Sequence, residues 1–513
     1  MSGELDDMSH LFPNERLGRI AALITACGER AIVIDRANFA DLNRLGKDYL
    51  ENLGTLDFYE QNERYMAGVE QECNAILNHN PHTVFLNLWH GTGFKFSYDL
   101  SRILKKRQPG IPVYGVGQKI DWFKQHIMEL PDHGFNGLIT GLGYDAIRKL
   151  VTDQTLEGGF NSVYRNDADF VVNPRKAVDV DDFPVAVYDQ SIYTNLDEKV
   201  PLFTLTLSNQ ACPNACVYCV RPENYGRKVI SRRLGLVVDE MAHLHETFGA
   251  RHFRIEDSTP PPKALTDFAD AVVSSDLQDL VQFSAFSRID TNGVEDFQLM
   301  RKAGFQALFF GVETLDDDSL RRIRKGTCYE MIKKTLQRAH DAGIKTVGSF
   351  IYPLPGETRA STDATLKRIE EIAPWLDSAL ILPAAVYPPT DWGRHPEEYG
   401  ILVEENYVEK FIAYPLKYMQ PLRLWPPVPF KYNLMGKPAC DVTFDDIIST
   451  CETFVAEVRT KLSIPPIADY YYLLADMMGR TDTAAATQDL VKLMIQRDYN
   501  GIRQQLQMPA RKD

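Results

Sequence analysis

The chain has 513 residues, and 44% of them are hydrophobic, so it is long enough to fold around two or three separate cores. Its formal net charge is −14, which argues against a protein that binds phosphate backbones through a basic surface. We therefore expect a small-molecule, lipid or peptide substrate and no nucleic-acid partner.

The N-terminus and the cysteines exclude two further classes of protein. Residues 1–18 have neither the basic start nor the apolar core of a secretion signal. No stretch has the roughly 18 consecutive apolar residues that a membrane helix needs. The 8 cysteines are too few for a disulfide framework in a chain of this length. The sequence therefore predicts a cytoplasmic protein without a membrane span.

Residues 1–155 alternate between apolar strands and helical stretches. The predicted strands are AIVID, TVFLNLW, VYGVG and GLITGLG, and this alternation indicates a Rossmann-like, open parallel α/β sheet. In doubly wound sheets a ligand binds beyond the carboxyl ends of the strands, where glycine lets the backbone approach it. Glycine is also needed simply to turn the chain. The glycines at these predicted strand ends are Gly115, Gly117, Gly141 and Gly143.

Residues 156–200 lose this periodicity and gain Asp, Asn and Pro, which is typical of a connector. A second series of strands and amphipathic helices fills residues 201–395. Its predicted strands are FTLTLS, HFRIED, VQFSAFS, ALFFGVE, TVGSFIY and SALILPAAVY. Units spaced by roughly 30 to 40 residues favour a partial (β/α)6 barrel over a closed one with eight strands.

Residues 396–513 are predicted to be mainly helical. The stretch DYYYLLADMM carries aromatic and methionine side chains at helical spacing. Such a stripe is more often part of a hydrophobic core than of a cofactor site.

Three cysteines, Cys212, Cys216 and Cys219, follow the first strand of the second series as a CxxxCxxC loop. Three thiolates on one loop can hold a four-iron four-sulfur cluster and leave one iron open for another ligand. A zinc knuckle is the alternative, and it requires a fourth ligand at short range. The nearest histidines, His243 and His245, lie well inside a predicted helix, so the spacing favours the cluster.

The segment from Ser208 to Glu357 resembles the core of the radical S-adenosylmethionine (SAM) superfamily. The matching motifs follow in the family's order: LSNQACPNACVYC, FRIEDSTP, FSAFSRID, AGFQALFFGVETLDDDSLRRIRKGTC and AGIKTVGSFIYPLPGET. The resemblance implies a [4Fe-4S] cluster on the three cysteines, SAM as a second cofactor, and reductive cleavage of SAM. It also implies an electron donor such as a flavodoxin or a ferredoxin.

The resemblance also implies contacts to SAM. Tyr218 is expected near the adenine, and acceptors for the SAM amino group are expected just after the second strand. Glu313 resembles the acidic residue that contacts the methionine or ribose, and a salt bridge with Arg288 or Arg324 is the alternative. Arg288 is a candidate for the SAM carboxylate because its guanidinium forms a fork. The acceptors after the second strand are Glu256, Asp257 and Ser258.

Basic residues are dense just after the cysteines. They are Arg221, Arg227, Lys228, Arg232 and Arg233. They either form a solvated face, bind the SAM carboxylate or dock an electron donor.

The N-terminal region is similar to the cobalamin-binding domain of one radical SAM subclass. That similarity implies cobalamin as a further cofactor, with Gly115, Gly117, Gly141 and Gly143 lining the corrin pocket. Two features depart from the subclass: the first strand is missing or altered, and there is no Asp-x-His-x-x-Gly signature. His90 keeps only His-x-x-Gly, and it follows a different strand, so it is interpreted as a loop residue.

These patterns leave three functional hypotheses. The first is a cobalamin-dependent C-methyltransferase that acts on an unactivated carbon. The second is a cobalamin-independent radical SAM enzyme that catalyses coupling, cyclisation or rearrangement. The third is a metal-binding module without catalytic turnover.

Overall fold

The computed structural model describes residues 8–45, 63–88, 92–166, 169–257, 259–290, 293–413, 422 and 427–508. Short 3₁₀ helices cover Met8–Leu11, Val180–Asp182, Leu196–Glu198, Ala373–Trp375, Pro396–Tyr399 and Ala439–Asp441. Within the described ranges, no helix is long and apolar enough to cross a membrane.

The N-terminal part is built on a 5-stranded sheet whose strands lie side by side in chain order. The first three strands are parallel, and the last two are antiparallel to their neighbours. The strands are β1 (Val84–Asn87), β2 (Val113–Val116), β3 (Gly137–Ile139), β4 (Ser162–Asn166) and β5 (Asp169–Val172). The last two strands lie inside the predicted connector, 156–200, so that segment extends the sheet.

Helices cover both faces of this sheet. One face packs against α3 and α4 and the other against α1 and α7, because buried apolar side chains of these helices share cores with the strands. The helices are α1 (Glu15–Ala26), α2 (Phe39–Leu45), α3 (Glu63–Leu77), α4 (Thr92–Arg107), α5 (Gln118–Phe123), α6 (Gln125–Glu129) and α7 (Tyr144–Asp153).

The strand predicted at AIVID is wrong. Val33 makes only an isolated bridge with Tyr193, in which the Val33 N–H donates to Ile192 O at 2.7 Å. Ala31 and Val33 are buried, but they pack into the core that surrounds the second sheet. These residues are therefore apolar because they are buried between two parts of the chain, and they do not form a strand of the first sheet.

The second sheet has 6 parallel strands in the spatial order β11-β10-β9-β8-β7-β6. Its outer strands do not pair with each other in the described chain, so the predicted partial barrel is confirmed. The strands are β6 (Leu202–Leu205), β7 (His252–Ile255), β8 (Gln282–Ser287), β9 (Phe305–Glu313), β10 (Lys345–Ile351) and β11 (Ser378–Leu382).

The helices of the barrel form its outer layer. Alternate side chains of each strand, such as Leu308, Phe310 and Val312 of β9, pack against these helices. The remaining side chains face the interior. The helices are α8 (Arg221–Tyr225), α9 (Leu234–Phe248), α10 (Ala264–Val273), α11 (Phe297–Ala303), α12 (Asp317–Arg322), α13 (Tyr329–Asp341) and α14 (Arg359–Ile372).

The C-terminal part is mainly helical, with one small antiparallel pair of strands, β12 (Ile401–Val403) and β13 (Phe430–Tyr432). Its helices are α15 (Asp391–Arg394), α16 (Tyr407–Ala413), α17 (Phe444–Leu462), α18 (Tyr470–Met477), α19 (Thr483–Gln496) and α20 (Tyr499–Gln505).

The C-terminal part closes the barrel interior from one end. Asp469, immediately before α18, accepts hydrogen bonds from Arg254 Nη2 at 2.8 Å and Nε at 3.0 Å, and from Ser284 Oγ at 2.8 Å. Arg254 also lies over the rings of Phe286 and Tyr470, at 4.8 and 4.9 Å from the ring centroids. Since Arg254 alternates with strand residues that pack outward, this cluster lies inside the barrel.

Candidate active site

The cysteine loop begins just after β6, at the carboxyl ends of the barrel strands, where barrel enzymes place their active sites. Cys212 is buried, and Cys216 and Cys219 are half-buried. Asn214 Nδ2 donates to Cys212 Sγ, and the Arg221 N–H donates to Cys219 Sγ, each at 3.4 Å. Hydrogen bonds to sulfur are among the ways in which a protein tunes an iron–sulfur cluster.

Three thiols on one loop are a donor set that a [4Fe-4S] cluster takes. Burial, together with the neighbouring Cys216 and Cys212, raises the pKa of Cys219 to about 11. At Cys219 burial therefore favours the protonated thiol, and metal binding would have to displace that proton. In the chain as described, no three His, Cys, Asp or Glu side chains are grouped as ligands of one ion. In a cluster each thiolate binds a different iron, so its ligands need not converge on one point.

The two histidines considered as zinc ligands have other partners. His245 Nδ1 pairs with Ala250 O at 2.8 Å, and His243 Nδ1 lies 3.4 Å from Thr247 Oγ1. Both lie inside α9, as the sequence predicted. Neither histidine therefore supplies the fourth ligand that a zinc knuckle requires.

Asp257 ties the end of β7 to the start of the cysteine loop. Its Oδ2 accepts from the Leu207 N–H and its Oδ1 accepts from Ser208 Oγ. Burial raises the pKa of Asp257 to about 6, and these two hydrogen bonds oppose that rise. Both oxygens are thus already engaged within the protein.

Glu256, the neighbour of Asp257, is differently placed. It is half-buried, and its carboxylate receives no hydrogen bond from any described residue. Burial raises the pKa of Glu256, while Arg254 acts in the opposite direction. Its carboxylate is therefore available to an ammonium group. Ser258, the third predicted acceptor, lies outside the described residues.

Glu313 ends β9 with a backbone φ of +67°, a left-handed conformation that is uncommon for a residue other than glycine. Its Oε1 lies 2.6 Å from Lys325 Nζ, which also donates to Tyr218 OH at 3.3 Å. The proposed salt-bridge partners, Arg288 and Arg324, pair instead with Asp290 and Asp391. Strained backbone of this kind is frequent at functional sites.

Lys325 is a site residue that the sequence analysis missed. It lies just after α12, in the stretch RRIRKGTC, among several other basic residues. Nothing in that stretch distinguishes the lysine that turns inward from those that stay in solvent. Only the fold brings it between the cysteine loop and β9.

The four predicted glycines do not have the same surroundings. A Cβ atom at Gly115 would lie 2.7 Å from Leu138 and Leu88, and one at Gly143 would lie 2.1 Å from Ile139. Neighbouring side chains therefore already occupy the space beside these two glycines. Gly117 has a φ of +124° and lies against Leu88 O, at the ends of β1 and β2. Gly141 has a φ of +60° and faces Asn224 O. His90 lies outside the described residues.

Gly141 belongs to a junction between the N-terminal sheet and the helix after the cysteine loop. The Gly141 N–H donates to Asp121 Oδ1 at 2.7 Å, and Trp122 Nε1 donates to Asn224 Oδ1 at 2.7 Å. Arg175 donates to Pro222 O at 2.9 Å. A small cavity at this junction is lined by Gly141, Leu142, Asn161, Arg175, Lys176, Val178, Asn209, Asn224 and Tyr225.

We expect Asp121→Asn to raise stability more at pH 8 than at pH 5. Burial raises the pKa of Asp121 to about 7, and its Oδ2 has no hydrogen-bond partner among the described residues. Between about pH 4 and pH 7 the folded chain therefore holds a proton that the unfolded chain releases, so stability falls as the pH rises. The loss is about 1.4 kcal/mol per pKa unit. Asparagine cannot ionise and so avoids this loss.

Thermal unfolding of both proteins at pH 5 and pH 8 measures this difference. Asp132→Asn is the matched control, because its carboxylate side chain is 81% exposed and its replacement should change stability little at either pH. An equal effect of Asp121→Asn at both pH values would contradict the prediction.

Part of the chain matches a known protein family. Residues 207–369 match the Radical SAM superfamily. An uncharacterised methyltransferase of Pyrococcus horikoshii is 24% identical over 237 residues, which are 46% of this chain and 51% of that protein. An anaerobic magnesium-protoporphyrin IX monomethyl ester cyclase of Rubrivivax gelatinosus is 26% identical over 235 residues, 45% of this chain and 40% of that protein. The chain spans about half the length of the curated relatives it matches.

A solved structure matches nearly the whole chain. It is the radical SAM methyltransferase TsrM from Kitasatospora setae with cobalamin and a [4Fe-4S] cluster bound. The two chains are 15% identical, 97% of each is covered, and the TM-score is 0.64. At this identity the likeness concerns the fold, and it confirms the predicted order of N-terminal α/β sheet, partial barrel and helical C-terminal part. Residues 207–369 of the chain therefore match the radical SAM superfamily, and the chain as a whole shares the fold of a radical SAM methyltransferase solved with cobalamin bound.

Proposed function

We propose that the chain cleaves SAM reductively with a [4Fe-4S] cluster to functionalise an unactivated carbon, and that the reaction is a cobalamin-dependent C-methylation. The observation that carries the proposal is the junction between the two sheets. Gly141, just after the carboxyl end of β3, faces Asn224 of α8, which follows Cys219 by five residues. A corrin held by the first sheet would thus lie beside the cluster.

The three loop cysteines would hold the cluster, and SAM would bind the iron that has no cysteine ligand. When bound, the reduced cluster supplies the electron that breaks a carbon–sulfur bond of SAM. Glu256 offers an unpaired carboxylate for the SAM amino group, and Arg288 a guanidinium for its carboxylate. Asp257 fixes the start of the loop by its two hydrogen bonds. Tyr218, on the loop, would lie beside the adenine.

Glu313 would contact the methionine or ribose of SAM. Lys325 donates to its carboxylate, and Glu313 lies at the carboxyl end of β9 with a left-handed backbone. In the cobalamin site, Gly117 and Gly141 would let the backbone approach the corrin, because each combines a positive φ with a strand end. Gly115 and Gly143 would support that site by packing.

The domain boundaries remain part of the proposal. We assign residues 1–155, extended by β4 and β5, to the cobalamin-binding-like part and residues 201–395 to the radical SAM barrel. Residues 396–513 form the helical C-terminal part, whose α18 closes the barrel interior.

The substrate would be a small molecule, a lipid or a peptide, and electrons would come from a flavodoxin or a ferredoxin. Phe286 and Phe309 occupy the same register position on β8 and β9 and contact edge to face, with ring centroids 4.9 Å apart. Both are half-buried inside the barrel. They suit an apolar or ring-bearing part of the substrate. The chain is acidic overall, which does not suit nucleic acid.

Anaerobic reconstitution tests the proposed function. We expect about four irons per chain and turnover of SAM after reduction. Retention of added hydroxocobalamin through gel filtration would support methylation. SAM cleavage without retained cobalamin would favour coupling, cyclisation or rearrangement, the reaction type that the cyclase relative represents. Iron binding without any turnover of SAM would leave only a metal-binding module.

We expect Lys325→Met to weaken SAM binding about 10- to 100-fold, the range typical when a residue that orients a ligand is lost. Removing the ammonium leaves the Glu313 carboxylate, whose side chain is 9% exposed, without its ion pair. Equilibrium dialysis of the reconstituted protein with SAM measures the change. Lys334→Met, an exposed lysine on α13, is the control and should bind SAM as the wild type does. Equal affinity of Lys325→Met and wild type would remove Lys325 from the site.

A further inference from the structure

The outer edge of the cysteine loop lies at the protein surface. Pro213 and Ala215 are exposed, and they alternate along the chain with Cys212, which is buried, and Cys216, which is half-buried. Exposed residues of the loop are therefore direct chain neighbours of the candidate cluster ligands. Electron transfer weakens steeply with distance, so this edge is a short route for an electron from a protein at the surface.

Three exposed cations border this edge. Arg227 Nη1 donates to Asn214 O at 2.9 Å, so its guanidinium lies directly on the loop. Lys228 is its exposed neighbour. Arg175 donates to Pro222 O at 2.9 Å, at the amino end of α8, and its Nη2 also lies 3.8 Å from Oδ1 of the buried Asp121. We call Arg175, Arg227 and Lys228 the basic face.

The basic face is not neutralised at its centre. Among the described residues, no carboxylate forms an ion pair with Arg227 or Lys228. Other cations of the same region are paired: Arg233 with Asp181 at 3.2 Å and Lys176 with Asp145 at 3.0 Å. A local positive surface is notable because the chain as a whole carries a net charge of −14. Such a surface attracts an acidic partner to one place on an acidic protein.

We propose that the basic face docks an acidic one-electron carrier protein, which passes its electron to the cluster through the exposed edge of the cysteine loop. This inference rests on the proposed function. One electron leaves the reduced carrier and reduces the oxidised cluster, and no proton or chemical group is transferred. Docking by charge would raise the association rate and make that rate depend on salt.

The basic face is better suited to a protein partner than to SAM. Arg227 donates to the carbonyl oxygens of Pro213 and Asn214 on the loop, whereas Arg288 follows β8 and Glu313 ends β9. The exposure of Lys228 leaves it accessible to a large partner. A solvated loop without a partner is the alternative, and it predicts no effect of charge reversal.

The test compares a protein reductant with a small one. The proteins are wild type, Lys228→Glu, and the double variant Arg227→Glu plus Lys228→Glu, each reconstituted and checked for equal iron content. The readout is the rate at which the cluster loses absorbance in the visible range, after mixing with reduced flavodoxin or with dithionite. The matched control is Lys302→Glu plus Lys334→Glu, which changes the charge equally on exposed lysines of α11 and α13.

We expect the double variant to be reduced by flavodoxin about tenfold or more slowly than wild type, and Lys228→Glu to be intermediate. Dithionite should reduce all proteins at similar rates. Added salt should lower the rate at which flavodoxin reduces the wild-type cluster and should have little effect on that rate in the double variant. Equal slowing by the control pair, or no slowing at all, would overturn the docking site.

The proposed function fails in a different way. If dithionite reduces the wild-type cluster but SAM is never turned over, the proposed radical SAM activity is wrong. The docking site is judged separately, from the rates of reduction by flavodoxin. If Lys228→Glu has wild-type rates and only the double variant is slow with both reductants, Arg227 supports the loop and the docking site is rejected.

Discussion

Replacing Asp469 by alanine is expected to lower the apparent free energy of unfolding by about 3–5 kcal/mol, the range for breaking a buried ion pair. Asp469 is fully buried and is the acceptor for both Arg254 and Ser284 inside the barrel. Its removal leaves a buried guanidinium without a counter-ion and detaches α18 from the strands. Urea unfolding followed by tryptophan fluorescence measures the loss.

Two controls separate the ion pair from simple packing. Asp476→Ala removes a carboxylate that pairs with His252 near the surface, where its side chain is 48% exposed, and should cost less than about 1 kcal/mol. Arg254→Met combined with Asp469→Leu removes both charges and should be less destabilising than Asp469→Ala alone. If Asp469→Ala cost no more than Asp476→Ala, the pair would not hold the C-terminal part in the barrel.

Cys216→Ala is expected to abolish cluster assembly and SAM turnover, leaving both at the background of the unreconstituted protein. Two thiolates cannot replace three on a loop that must leave one iron open, so the cluster would not form or would not persist. Iron content, visible absorbance and SAM consumption after anaerobic reconstitution measure the loss. The same loss is expected for Cys212→Ala and Cys219→Ala, because the three act as one unit.

Cys328→Ala is the matched control for these variants. Cys328 is exposed, precedes α13 and has no partner among the described residues, so its replacement should keep iron content and activity. A Cys216→Ala protein that still turned over SAM would refute the role of the loop. Loss of iron in both proteins would instead indicate a general failure of reconstitution.

The barrel and its cysteine loop were predictable from the sequence. Strands and helices with clear periodicity recur along residues 201–395, and each strand is confirmed within a few residues. Three cysteines at fixed spacing after the first strand define a loop whose chemistry is local, since the ligands are neighbours in the chain. Features that depend only on neighbouring residues can be recognised in a sequence.

The N-terminal region was less predictable. The segment AIVID has the composition of a strand, yet its valine makes one bridge with Tyr193 and packs against the barrel. Conversely, β4 and β5 arise from a stretch rich in Asp and Asn. Both differences have one cause: short apolar runs are buried wherever a neighbouring element offers a surface, and the sequence does not identify that neighbour.

The pairing of charged groups was also decided by the fold. The sequence brought Arg288 and Arg324 into consideration for Glu313, but Lys325 lies against it at 2.6 Å. Asp257 was predicted as an acceptor for SAM, and the fold adds that its oxygens accept hydrogen bonds from the start of the cysteine loop. Salt bridges between residues that are near in the sequence cannot be told apart until the backbone directions are known.

The sequence by itself determined the match to the radical SAM core, the three cysteines on one loop and the order of the three parts, because these depend on residues close together in the chain. Only the tertiary structure decided what lies opposite what: Lys325 beside Glu313, Asp469 inside the barrel, and Gly141 against Asn224. These contacts join residues that are distant in sequence or similar to their neighbours, so their partners depend on packing of the whole chain.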